Sequence, residues 1–208
     1  MATVRAIMVW GVLAALILVP IVVAADSEYL QYRSSIYVAA GFAGIAALAL
    51  LLVQPLLASG ALPLVARAHS KRAHRWLGVA VLLAVALHVA GLWITSPPDM
   101  VDALTFTAPT AFSVFGVLAM WALIVAALLG GFRKRLRLRP AAWRLAHTLA
   151  VTVVVTGSVA HALLIEGTMG VASKVVLSTA VLGGLVLAVT RLRPWVGIRR
   201  VRKTHVRE

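Results

Sequence analysis

Six unbroken apolar stretches, each close to twenty residues, run through this chain: about 6–24, 36–57, 76–94, 111–129, 145–165 and 171–190. A helix needs about 20 apolar residues to cross the hydrocarbon core of a bilayer. In lipid the backbone must satisfy its own polar groups, so only helices and closed barrels can span it. The stretches are continuous and do not alternate, which selects helices over strands. The expected fold is all-α: one membrane domain over residues 1–208, with six transmembrane helices and a basic tail at 191–208. Composition agrees, with 62% hydrophobic and only 12% charged residues, where a soluble domain carries about 25% charged. Pro20 and Pro55 fall near the ends of their stretches, where a kink costs least.

The net charge of +14 raises the question of nucleic acid, but the distribution of charge answers it. Basic residues crowd into the segments between apolar runs. Arg5, then Arg67, Lys71, Arg72 and Arg75, then Arg133, Lys134, Arg135, Arg137, Arg139 and Arg144, then the tail from Arg191 to Arg207 all fall on one side. The other side receives Arg33 and Lys174 with Asp26, Glu28, Asp99, Asp102 and Glu166. The positive-inside rule makes the first side cytoplasmic, with both termini there, in a multi-pass cell-membrane protein. The partner implied is the lipid bilayer, not nucleic acid. A competing reading takes Arg5, the first apolar run and Val23-Ala24-Ala25 as a cleavable signal peptide. That run is longer than the usual apolar core of a signal, and cleavage would leave five helices with the features below intact.

Four of the six histidines form two pairs with equal spacing: His74 and His88 on the third stretch, His147 and His161 on the fifth, each pair fourteen residues apart. At about 100° per residue, fourteen steps return to within roughly 40° of the starting direction, about 21 Å along the helix. Each helix thus carries two imidazoles on one face. An odd–odd pair of spans runs in the same direction, so His74 lies level with His147 and His88 with His161. Ionisable side chains at membrane depth are costly and usually face the interior, where they act. Two stacked bis-imidazole sites suit two b-type haems. If only the outer pair is used, a single haem is expected. Zinc would need three or four converging ligands, which this spacing cannot supply. The chain has no cysteine, which excludes disulfides, cysteine-ligated clusters and covalent c-type haem. His69 and His205 lie in basic segments and read as solvated, with His69 the substitute for His74 if the third helix starts early.

Neighbouring residues add candidates. Gly78, Gly91 and Gly157 lie within a turn of the histidines and would let a flat ligand approach, or serve helix packing. Arg72, Arg75 and Arg144 flank the inner pair, where a guanidinium can meet a propionate. Trp76 and Trp143 sit where belt tryptophans are expected. Phe115 and Trp121 read as packing or lipid contact.

The stretches HRWLGVAVLLAVALH (74–88) and WRLAHTLAVTVVVTGSVAH (143–161) resemble the ferric reductase-like transmembrane domain family. That group includes ferric reductases, NADPH oxidases and the haem-binding membrane subunit of the bacterial methionine sulfoxide reductase system. The resemblance implies that His74 with His147 holds an inner haem and His88 with His161 an outer one. It implies electron transfer from a cytoplasmic or quinol donor to an extracytoplasmic acceptor. Bis-histidine ligation leaves no open iron position, so the acceptor would be served at the haem edge. No Gly-x-Gly-x-x-Gly stretch occurs, so no flavin or nicotinamide site is expected in this chain, and a separate flavin reductase or quinol must donate. The chain is then the membrane subunit of an oxidoreductase system. The cytochrome b of quinol-oxidising complexes uses similar pairs, but on its second and fourth helices and with a Pro-Glu-Trp-Tyr sequence that is absent here. The rival expectation is a non-redox transporter or assembly subunit with the histidines in packing or proton relay. No acidic residue lies within an apolar run, which argues against the relay.

Overall fold

A computed structural model describes residues 2–196. His205 and the tail from 197 onward lie outside the described residues. Among the described residues, seven α-helices follow in order: α1 (Ala2–Ala25), α2 (Ser35–Ser59), α3 (Arg67–Thr95), α4 (Pro97–Leu104), α5 (Ala111–Gly131), α6 (Pro140–Leu164) and α7 (Val171–Leu192). All but α4 are long and apolar enough to cross a membrane. These six coincide with the six apolar stretches. The short α4 occupies the loop after α3 and starts on Pro97, where a missing N–H costs nothing.

The largest difference from expectation is the start of α3, which lies at Arg67, well before the apolar run begins. Hydropathy marks where a helix enters lipid, not where it begins, and Arg, Lys and Ala are good helix formers. At 29 residues, α3 is about 43 Å long at 1.5 Å per residue, so its basic first turns project beyond a hydrocarbon core of about 30 Å. His69 falls on this projecting part and is exposed. His74 is one turn deeper and half-buried.

Two antiparallel helix pairs organise the bundle: α2 packs closely along α3, and α5 along α6. The pairs meet only lightly, through α3 with α5 and α2 with α6, so they stand as two leaves. Along the α2–α6 edge, α7 packs against both helices and α1 closes over α2 and α7. Leu48, Leu52, Val155, Leu177 and Val181 form the dry core there. Gly184 lies flat against Pro55, where an added Cβ would stand 3.2 Å from the ring. The α3–α5 edge is looser. An apolar groove of about 370 Å³ opens there, lined by Leu82, Val85, Val89, Trp93, Leu123 and Ile124 among others.

The first leaf is closed by a left-handed glycine cap. Gly60 adopts φ +65°, and the Ala61 N–H reaches back to the Leu56 carbonyl at 2.9 Å, satisfying a carbonyl at the end of α2. At the opposite end of the bundle, Lys174 is buried and donates its ammonium to the Ile165 carbonyl at the C-terminus of α6. A cation there meets the negative end of the helix dipole, which accounts for a buried lysine among apolar neighbours.

Candidate functional site

The loops after α2 (60–66) and after α5 (132–139) lie at the same end of the bundle, and this end carries the arginines and lysines. Helices α3 and α6 both leave from it. The four histidines therefore sort into a basic-end pair, His74 and His147, and a far pair, His88 and His161.

The far pair meets directly. The two imidazoles stand with ring centroids 6.3 Å apart and planes at 80°. Each is held from behind by its own leaf. His88 Nδ1 donates to the Ala40 carbonyl of α2 at 2.7 Å, and His161 Nδ1 donates to the Phe112 carbonyl of α5 at 2.9 Å. A helix carbonyl has a second lone pair beyond the one used by its own i+4 N–H. In both leaves that i+4 residue is glycine. A Cβ on Gly44 would stand 2.9 Å from His88 Nδ1, and one on Gly116 would stand 2.8 Å from His161 Nδ1. Glycine is required here so that the ring can reach the carbonyl. With Nδ1 occupied, Nε2 is the nitrogen each ring has left for another partner.

At the basic end, His74 Nδ1 donates to the Gln54 carbonyl at 3.2 Å. His147 takes the corresponding place on α6. Its Nδ1 is buried near the Ala126 carbonyl without a well-formed hydrogen bond. Its ring instead lies parallel to the indole of Trp143, with centroids 5.3 Å apart and planes 9° apart.

The two leaves repeat one another. Ala40, Gly44, Gln54 and Leu57 of α2 correspond to Phe112, Gly116, Ala126 and Leu129 of α5 at an offset of 72 residues. Ser70, His74 and His88 of α3 correspond to Trp143, His147 and His161 of α6 at an offset of 73. The correspondence extends to a tether at the basic end. Ser70 Oγ donates to the Leu57 carbonyl at 2.6 Å, and Trp143 Nε1 donates to the Leu129 carbonyl at 2.6 Å.

The remaining sequence candidates fall elsewhere. Arg72, Arg75 and Arg144 are exposed at the basic end. Gly78 faces the Gln54 side chain, where a Cβ would make an ordinary 3.4 Å contact. At Gly157 a Cβ would stand 3.0 Å from the Phe115 carbonyl, and at Gly91 one would stand 2.7 Å from Ala40 Cβ, so each gives room to a neighbouring helix. Trp76 is largely exposed, as a belt residue should be, whereas Trp143 is tied down. Sequence reasoning missed Gly44, Gly116 and the part played by Trp143. The near-constant offset between Gly44/His88 and Gly116/His161 is the signal that could have found the glycines.

Residues 43–158 match the family described as ferric reductase like transmembrane component, over more than half of the chain. The chain belongs to that family. Membership supports membrane electron transfer, and domains of this family generally bind haem. The matched stretch takes in both glycines and three of the four histidines, stopping three residues before His161. No curated protein and no solved structure gives a significant match. Among the described residues, no three metal-ligating side chains converge.

Proposed function

We propose that this chain is a b-type di-haem electron-transfer subunit, with His74 and His147 as axial ligands at one depth and His88 and His161 at the other. The observation that carries this reading is the far pair. Two metal–imidazole bonds of about 2 Å in line, plus the radii of two five-membered rings, separate ring centroids by roughly 6 Å. The separation of His88 and His161 is 6.3 Å. The light contact between the two leaves supports a flat group lying between them.

When bound, each haem supplies a one-electron carrier, while the protein supplies ligands and a dry setting. The chain's own residues do the rest. The Ala40, Phe112 and Gln54 carbonyls hold Nδ1–H, which fixes the tautomer and ring orientation and raises the basicity of Nε2. Gly44 and Gly116 give the far rings access to those carbonyls. Apolar α7 and α1 keep water from the α2–α6 edge. Arg72, Arg75 and Arg144, exposed at the basic end, would attract propionates there. The basic loops support a cytoplasmic assignment of that end, with both termini there. The donor is a separate flavin reductase or quinol, and the acceptor lies on the extracytoplasmic side.

A histidine bonded to a neighbouring helix carbonyl also serves plain packing, and three such bonds favour that second reading. Purified protein decides between them. Reduced-minus-oxidised spectra with a pyridine haemochrome count should give two b-type haems per chain. Absence of b-type bands overturns the redox reading and leaves packing.

A further inference from the structure

The basic-end ligand His147 is held differently from the other three histidines. His74, His88 and His161 each rest Nδ1 on a helix carbonyl, at 3.2, 2.7 and 2.9 Å. The repeat supplies an equivalent carbonyl for His147, that of Ala126, which its ring approaches without closing to a well-formed hydrogen bond. So loose a contact orients a ring weakly, which leaves a place for a second support.

The difference between the leaves lies one turn earlier. Ser70, at the base of α3, is a short tether and leaves His74 free to lean on Gln54. Its counterpart Trp143 keeps the same tether, through its indole N–H to Leu129, but adds a large flat surface. Residues four apart on a helix share a face, so that surface lies beside His147. The rings are nearly parallel at a centroid distance within the range of favourable offset stacking. Arg133 fixes the indole further, its guanidinium lying 4.3 Å from the ring centroid.

We propose that Trp143 is a positioning residue for His147, its indole face orienting an imidazole whose Nδ1 contact is looser than those of the other three. The proposal rests on the di-haem reading and adds a prediction of its own: the basic-end site has one ligand set by stacking, whereas the far site has two set by hydrogen bonds.

The test uses the full-length protein with its haems. Low-temperature electron paramagnetic resonance reads the angle between axial ligand planes, and a redox titration reads each haem's potential. The basic-end signal is identified as the one removed by His147→Ala. Trp143→Leu fills space without a π-face, and it should shift that signal and its potential, or release that haem, while leaving the far haem unchanged. Trp143→Phe keeps a stacking ring without the tether and should retain the wild-type signal. An unshifted signal in Trp143→Leu at full haem content overturns the proposal, as does a Trp143→Phe shift as large as that of Trp143→Leu. If Trp143→Leu does not accumulate, Trp143→Phe still decides: an altered basic-end signal there overturns the proposal and a retained one supports it. A wild-type chain without haem would defeat the di-haem reading itself, which is a separate result.

Discussion

The two ends of the histidine-bearing gap are built from the same repeated backbone and yet hold their imidazoles by different means. At the far end the repeat is faithful: histidine, helix carbonyl and glycine recur in both leaves, and both Nδ1 bonds are short. At the basic end it is broken at one position, where Ser70 stands in one leaf and Trp143 in the other. The consequence reaches the next turn, where one histidine has a long hydrogen bond and the other only a looser contact with its carbonyl. A ring can be oriented either by a carbonyl in its plane or by an aromatic face beside it. The first also makes the ring a stronger electron donor. On the di-haem proposal, the far pair would then supply the more basic ligands.

The sharpest break in this comparison is removal of a far ligand. Replacing His88 or His161 with alanine should cost one of the two haems and spare the other, as read by the pyridine haemochrome ratio. Loss of both haems from either variant would mean that the two levels do not act as separate sites. Next come the glycines. Gly44→Ala and Gly116→Ala each place a methyl group against Nδ1 and push the ring off its carbonyl. Loss of such outer-shell support lowers metal-site affinity by roughly 10- to 100-fold. Haem titration of the apoprotein should show this for both variants and to a similar degree, because the repeat makes the two positions equivalent.

A smaller effect is expected from the tether. Ser70→Ala removes a buried hydrogen bond, and because the Leu57 carbonyl keeps the Gly60 N–H the cost is about 0.5–1.5 kcal/mol. Thermal unfolding in detergent should fall accordingly, with far-haem spectra unchanged. The smallest effect belongs to the exposed arginines. Neutralising Arg75 or Arg144 singly should move only the basic-end potential, measured by redox titration, and leave haem content intact. A shift confined to the far haem would place these side chains' influence at the wrong level.

The number of spans, the loops that carry the basic charge and the register of the histidines were all legible along the chain. Lipid leaves the backbone a single economical arrangement, and hydropathy sums residue by residue, so six apolar runs become six helices whatever packs around them. The fourteen-residue spacing of His74/His88 and His147/His161 survives any packing, because it is a property of one helix at a time. The start of α3 was not legible, because helix propensity carries the structure on through basic residues that hydropathy reads as a boundary.

What the residues along the chain could not reveal is which surfaces meet. Helices α2 and α5 are apolar on every side, so no periodicity marks the face that turns toward a histidine. Gly44 and Gly116 read as two glycines among fifteen, and Trp143 as one more interfacial tryptophan. Their roles depend on how each helix is rotated about its axis and how closely it lies against its partner. Those two quantities arise only when α2 packs on α3 and α5 on α6, since burial in a bilayer is nearly the same for every rotation, while a hydrogen bond or a ring stack is available at one.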